Sequence, residues 1–347
     1  MKKLIGVMCL FILLCLVNSP LALTAAKDSL LLWSNSVLPA LLPFFIASQI
    51  LYYAGGAKLL SRGVTPLMKL LFLPPAGGFA LIMSLLCGYP TGSRMCALLY
   101  EEKQITSEEC GRLSMLCHNA GPVFISGTLA TVLLAQPYLA LPILCIHLCA
   151  ALLTALIFCS NVPSVTLSSP ILYAAHEEPL QPVGQLFGKA VFSGIQSILL
   201  ICGYMVFFGI AIRFLLYYGA PLFTLLPKSI RGEVMALTAG SLEMTQGLSF
   251  LAQSTSPLRL PFICALLSFS GLCIVIQSLA LLSSTQIKAG RFILSRLVCA
   301  CLAFALCFLY EKAALATPIL LTALLCVGNW CCKTVIKKVV KNTADQL

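Results

Sequence analysis

The sequence predicts an all-α, polytopic membrane helix bundle of about ten hydrophobic segments. Three observations carry that prediction. Of 347 residues, 60% are hydrophobic and only 10% charged, with a mean hydropathy of +1.00; a soluble domain of this length does not hold such a balance. The Lys and Arg behind the net charge of +11 gather at segment ends and in the tail. That is the positive-inside pattern of a membrane protein and argues against nucleic acid as a partner. Finally, several apolar segments are interrupted by glycine, proline and polar residues. Such broken or re-entrant helices are tolerated in a membrane only where the freed backbone faces protein, water or a ligand.

Taken in order, Lys2-Lys3 precede an apolar run over 4–26. It is long for a signal peptide and another apolar segment follows at once, so residues 1–29 are expected as a retained N-terminal membrane helix. Residues 30–160 form the first half. They begin with an apolar segment over 30–53 containing Pro39 and Pro43, followed by a loop at 54–75 with Lys58, Arg62 and Lys69, expected on the cytoplasmic side. The interrupted stretch 76–135 and a full span over 137–160 complete this half. Residues 161–188 hold no Lys or Arg but do hold His176-Glu177-Glu178, and are expected as an extramembrane loop on the outer side. The second half, 189–310, contains apolar segments over 189–218, 232–253, 260–283 and 292–310, with Arg213 near the end of the first. Residues 311–347 add a last helix and a basic cytoplasmic tail. An even number of spans puts both basic termini on one side.

The interruptions suggest a site. Gly88-Tyr89-Pro90-Thr91-Gly92 breaks the first segment, and His118-Asn119-Ala120-Gly121-Pro122 breaks the next. Proline lacks an amide donor and glycine weakens a helix. A half-helix that restarts after such a break offers free amides at the positive end of its dipole. Thr91 or Ser93 is placed to cap the first restart, and Asn119 the helix that Pro122 opens. Two N-termini aimed at one point attract an anion, and Arg94 supplies a two-pronged carboxylate donor. The competing reading has Arg94 snorkelling to pair with Glu101 or Glu102.

Glu243 is the one charged residue between Glu233 and Arg259, and a carboxylate in such an apolar segment is a candidate to bind a cation, relay a proton or pair with an Arg. Thr245, Gln246, Ser270 and Gln277 are neutral donors and acceptors in apolar helices, able to read substrate oxygens or to tie helices together. His118 can titrate but is equally a packing residue, as is His147. A weak internal two-fold repeat is visible: Gly92 stands to Gly240 as Pro122 stands to Gly271, within one residue of the same spacing. The halves are inverted if 76–121 is a re-entrant hairpin and parallel if it is not; the inverted arrangement is expected.

No GxSxG, HExxH or P-loop pattern is present, so an enzyme, a metal site and a bound cofactor are not expected. The 18 cysteines lack CxxC spacing and mostly lie in apolar runs, where they act as small hydrophobes. Cys331-Cys332 beside the basic tail is a weak acylation pattern.

Gly88-Tyr89-Pro90-Thr91-Gly92, Ile105-Thr106-Ser107-Glu108-Glu109, Arg112-Leu113 and Asn119 to Phe124-Ile125 resemble the YlbJ (SpoVV) family of sporulation membrane proteins, within the nucleoside-recognition or Gate group. Residues 240–247 and 269–277 look like that group's second half, so the resemblance covers roughly 30–310. Departures are His118 in place of the first of a paired Asn, Ala120-Gly121 after Asn119, and Ser270 in place of the first of two glycines. The resemblance implies a transporter moving dipicolinate, a pyridine dicarboxylate, across the outer forespore membrane of an endospore-forming bacterium. An anion site at two helix N-termini is compatible with that dianion and does not identify it. A nucleoside or other neutral metabolite, and a non-transporting assembly protein of the spore envelope, stay open. Membrane lipid is the expected surroundings, and homo-oligomerisation is left open.

Overall fold

The computed structural model describes residues 2–159 and 182–329, and these are almost entirely helical. The N-terminal apolar run is two helices, α1 (Lys2–Val17) and α2 (Ser19–Leu32), turned by 102° at Asn18. Pro20 sits in the first turn of α2, where its missing amide costs nothing. The chain continues through a π-helical turn, Trp33–Val37, into α3 (Leu38–Tyr53). Where a loop was expected over 54–75 the chain instead forms a helix, α4 (Gly56–Leu70); α5 (Gly78–Cys87), α6 (Thr91–Glu101) and α7 (Ser107–Leu116) follow. A π-helical segment, Phe124–Leu133, precedes α8 (Ala140–Cys159). The second part holds α9 (Val183–Thr224), α10 (Lys228–Leu242), α11 (Met244–Ala252), α12 (Arg259–Phe269), α13 (Gly271–Leu281) and α14 (Ala289–Lys312), then α15 (Ala316–Asn329).

Of the roughly ten hydrophobic segments expected, fewer form helices long enough to span a membrane. Among the described residues, four helices are long and apolar enough to cross a membrane: Pro137–Cys159, Val183–Thr224, Arg259–Leu281 and Ala289–Lys312. The bent pair α1 and α2 makes a fifth if it counts as one span. Other apolar stretches end early because glycine, proline or a buried polar residue stops them; Pro75–Cys87 and Phe124–Leu133 are examples. At 42 residues α9 is about 63 Å long, well beyond the ~30 Å hydrocarbon layer. The loop expected over 161–188 falls mostly outside the described residues, with His176-Glu177-Glu178, and the chain is helical from Val183. Cys331-Cys332 and the basic tail also lie outside them.

Two apolar clusters position the site. The larger joins α5 to α8 with α12 and α14, through residues such as Phe79, Leu113, Ile143, Ile263 and Phe292. The smaller sets α3 on α9 through Phe45, Ile198, Ile201 and Met205. Trp33 donates its indole N–H to the Ile198 carbonyl, and Phe11 packs on Phe207 at 4.7 Å, so the N-terminal helices lie along α9.

Candidate functional site

Four interruptions of helix meet inside the bundle. At the first, α5 ends at Gly88, whose φ of +78° is a conformation glycine adopts without steric cost. A Cβ here would lie 2.6 Å from the Gly121 amide nitrogen, so the first and second breaks touch backbone to backbone. The Tyr89–Pro90 peptide is cis. The second break follows α7, which opens with a reciprocal capping box between Thr106 and Glu109. At the third, Glu243 is extended between α10 and α11. At the fourth, Ser270 and Gly271 both have positive φ, +72° and +77°. A Cβ on Gly271 would sit 2.9 Å from the Met244 nitrogen, so these two breaks also touch.

Side chains then join one pair of breaks to the other. The Tyr89 hydroxyl lies 2.7 Å from the Met244 sulfur and 3.4 Å from the Leu267 carbonyl oxygen. Its ring stacks on His118 at 5.1 Å. The Ser270 hydroxyl donates to the Phe269 carbonyl, so it accepts from His118 Nε2 at 2.7 Å; His118 Nδ1 then accepts from Ser278 at 3.2 Å. His147 Nε2 accepts the Ala120 N–H at 3.0 Å, which leaves Nδ1 protonated to donate to Ser268 at 2.9 Å. These networks assign both imidazoles neutral, tautomer-fixed packing roles. A non-glycine residue in the left-handed region costs about 1–2 kcal/mol, and the bonds at Ser270 offset it.

Beside the breaks lies a cavity of about 360 Å³, within the size range of small-molecule sites. Gly88, Tyr89, Gly121, Glu243, Thr245, Gln246 and Gln277 line it, together with Asp28, Ser29 and Arg213 and an apolar wall that includes Phe44, Phe124 and Phe250. The Glu243 carboxylate is 4% exposed and caps α11, accepting from the Thr245 and Gln246 amides at 3.0 Å each and from the Thr245 hydroxyl. Its partner is a helix N-terminus, not a cation. Arg213 Nη2 donates to Asp28 Oδ2 at 2.6 Å across α9 and α2.

Several sequence expectations change here. Arg94 does not face the large cavity. Its guanidinium donates to Ser193 Oγ at 2.7 Å in a cleft of about 20 Å³ shared with Pro90, Thr91 and Gln277. Glu102 is taken instead by Tyr52 and Gln104. Thr91 and Ser93 do not cap α6; their buried hydroxyl oxygens have no hydrogen-bond partner. Asn119 does not cap the helix at Pro122. Its amide donates to Ser84 Oγ at 2.9 Å and to the Leu116 carbonyl at 2.7 Å, tying the end of α7 to α5. Gly92, Ser93, His118, Asn119, Pro122 and Ser270 line neither cavity.

Among the residues not expected at the site from sequence are three charged ones, Asp28, Arg213 and Arg296. Arg213 is the one charged residue between Lys189 and Lys228, a signal that was available. Arg296 is fully buried and donates to the Met115 and His118 carbonyls, placing a cation at the C-terminal end of α7.

Residues 35–169 match the Gate family, described as nucleoside recognition. The chain is 28% identical over 319 residues to the sporulation integral membrane protein YlbJ of Bacillus subtilis (strain 168), covering 83% of this chain and 78% of that protein. No solved structure matches. With its apolar helices, interrupted in the stretch that the Gate match covers, the chain is an integral membrane protein similar to the Gate family and to YlbJ.

Proposed function

We propose that this protein carries a small organic solute across a membrane during sporulation, with an organic anion, dipicolinate first, as the substrate and the outer forespore membrane as the location. The observation that carries the transport reading is the cavity of about 360 Å³ lined by residues of three of the four helix breaks, Gly88-Tyr89, Gly121 and Glu243. Broken helices around a cavity are the arrangement in which membrane transporters hold solutes, and an assembly protein has no use for one. The similarity to a sporulation membrane protein supports the setting. Arg213 and the aromatic wall suit a flat, charged ring. The two pairs of broken helices, α5–α6 with the break before Phe124–Leu133 and α10–α11 with α12–α13, are read as the halves of one Gate-type repeat. No step of this reading requires catalysis or a cofactor.

A neutral solute such as a nucleoside is the second reading. It is favoured because Asp28 already occupies Arg213, and because the neutral groups Tyr89, Thr245, Gln246 and Gln277 line the cavity. Uptake into vesicles carrying the purified protein separates the two. Radiolabelled dipicolinate is expected to enter and uridine to be excluded. Uptake of uridine alone removes the anion reading, and uptake of neither removes transport of these solutes.

A further inference from the structure

We infer that Arg213 is the residue that takes the substrate's carboxylate, and that Asp28 is an internal competitor occupying it when the cavity is empty. This rests on the organic-anion reading of the cavity. Arg213, Asp28 and Glu243 are the charged residues lining the cavity. Glu243 spends both oxygens on the start of α11. Arg94 is turned into the other cleft against Ser193, and Arg296 is fully buried on two carbonyls. Of these arginines, only Arg213 presents a cation to the cavity.

The contact with Asp28 is built to be exchanged. It is a single Nη2–Oδ2 bond at 2.6 Å, with the side chains 41% and 54% exposed. A guanidinium has five donors in a fixed fork, so most of Arg213 has no protein partner among the described residues. A single-point contact leaves most of the fork unused, whereas a carboxylate meeting it with two parallel bonds is held more strongly.

The surroundings place the fork for this task. Gly209 is one turn before Arg213 on α9. A Cβ at Gly209 would lie 2.0 Å from Ser29 Oγ and 3.6 Å from Gln246 Nε2. So α2 and α9 touch there, the Gln246 amide lies against α9 one turn before Arg213, and both side chains line the cavity. A dicarboxylate or ring acid that binds Arg213 therefore meets an amide donor for its second polar group.

The test is dipicolinate binding by the full-length protein in nanodiscs, measured by calorimetry on wild type, Arg213→Gln, Arg213→Lys and Asp28→Asn. Arg213→Gln is expected to lower affinity about tenfold or more, with Arg213→Lys in between because it keeps charge but loses the fork. Asp28→Asn is expected to raise affinity about threefold or more by removing the competitor, a gain that misfolding cannot produce. Unchanged affinity in the variants, or a loss in Asp28→Asn as large as in Arg213→Gln, overturns the assignment and makes the pair a staple between α2 and α9. If wild type binds no dipicolinate, the anion reading itself falls and the Arg213 assignment with it. Wild-type binding that the variants do not alter overturns the assignment alone.

Discussion

Gly92→Ala tests whether the first two breaks hold each other in place. Gly92 lies in the first turn of α6, facing the end of α7. A Cβ added there would sit 1.8 Å from the Cys117 carbonyl oxygen and 2.7 Å from Ser84 Cβ. Real Cβ contacts do not fall below 3.0 Å, so α6 and the 117–121 segment must separate by about 1.2 Å. The obstacle is backbone, not a side chain that can rotate away. Separation also strains the Asn119–Ser84 bond and the contact between Gly88 and Gly121. Overpacking a tight core costs about 1–3 kcal/mol and more when backbone must shift, so the expected loss is about 3 kcal/mol. Gly203→Ala is the control. Nothing lies within 4 Å of a Cβ at that exposed position of α9, and removing a helix glycine there stabilises by about 0.5–1 kcal/mol. The assay is unfolding of the purified protein followed by maleimide labelling of thiols. Cys87, Cys96, Cys110 and Cys117 are at most 4% exposed and surround the contact, so their labelling reports its opening. If Gly92→Ala labels and unfolds like wild type, the close approach of α6 to Cys117 is wrong.

Glu243→Gln keeps the shape of the α11 cap but turns one acceptor into a donor facing an amide; stability should fall by about 1–3 kcal/mol. Transport per folded protein should fall further, and uptake equal to wild type after correction for folded yield would deny the charge any role in the transport step. Arg296→Met removes the guanidinium from the Met115 and His118 carbonyls and should cost about 2–4 kcal/mol in a denaturant titration, with Arg296→Lys recovering part of it. A loss under about 0.5 kcal/mol would mean those carbonyls find other partners at no cost.

The positions of the breaks were legible from local chemistry. Gly88 to Gly92 interrupts an apolar run with residues that cannot continue a helix, and Glu243 and Ser270-Gly271 do the same later. Partners were not legible. Arg94 follows Gly92 directly, which suggested that guanidinium and free amides share one side of the break. Tertiary packing instead brings Ser193 of α9 to it. Thr91, Ser93 and Asn119 have the residue types of caps, yet capping depends on the backbone angle at the entry to a helix, and packing set that angle differently. The partnership of His118 with Ser270 was not legible either. They are 152 residues apart and bonded to each other.

The sequence by itself determined the class of molecule. An apolar chain with basic segment ends partitions into a membrane whatever its detailed packing, because burial of apolar surface scales with composition. It also located the four breaks near the cavity, since proline, glycine and an isolated carboxylate act on their own turn. Only the tertiary structure decided which charges meet the cavity. Asp28 and Arg213 are far apart along the chain, and their meeting depends on α2 packing against α9 at Ser29 and Gly209. Such a contact follows from shape complementarity between distant helices, which no local pattern of residues encodes.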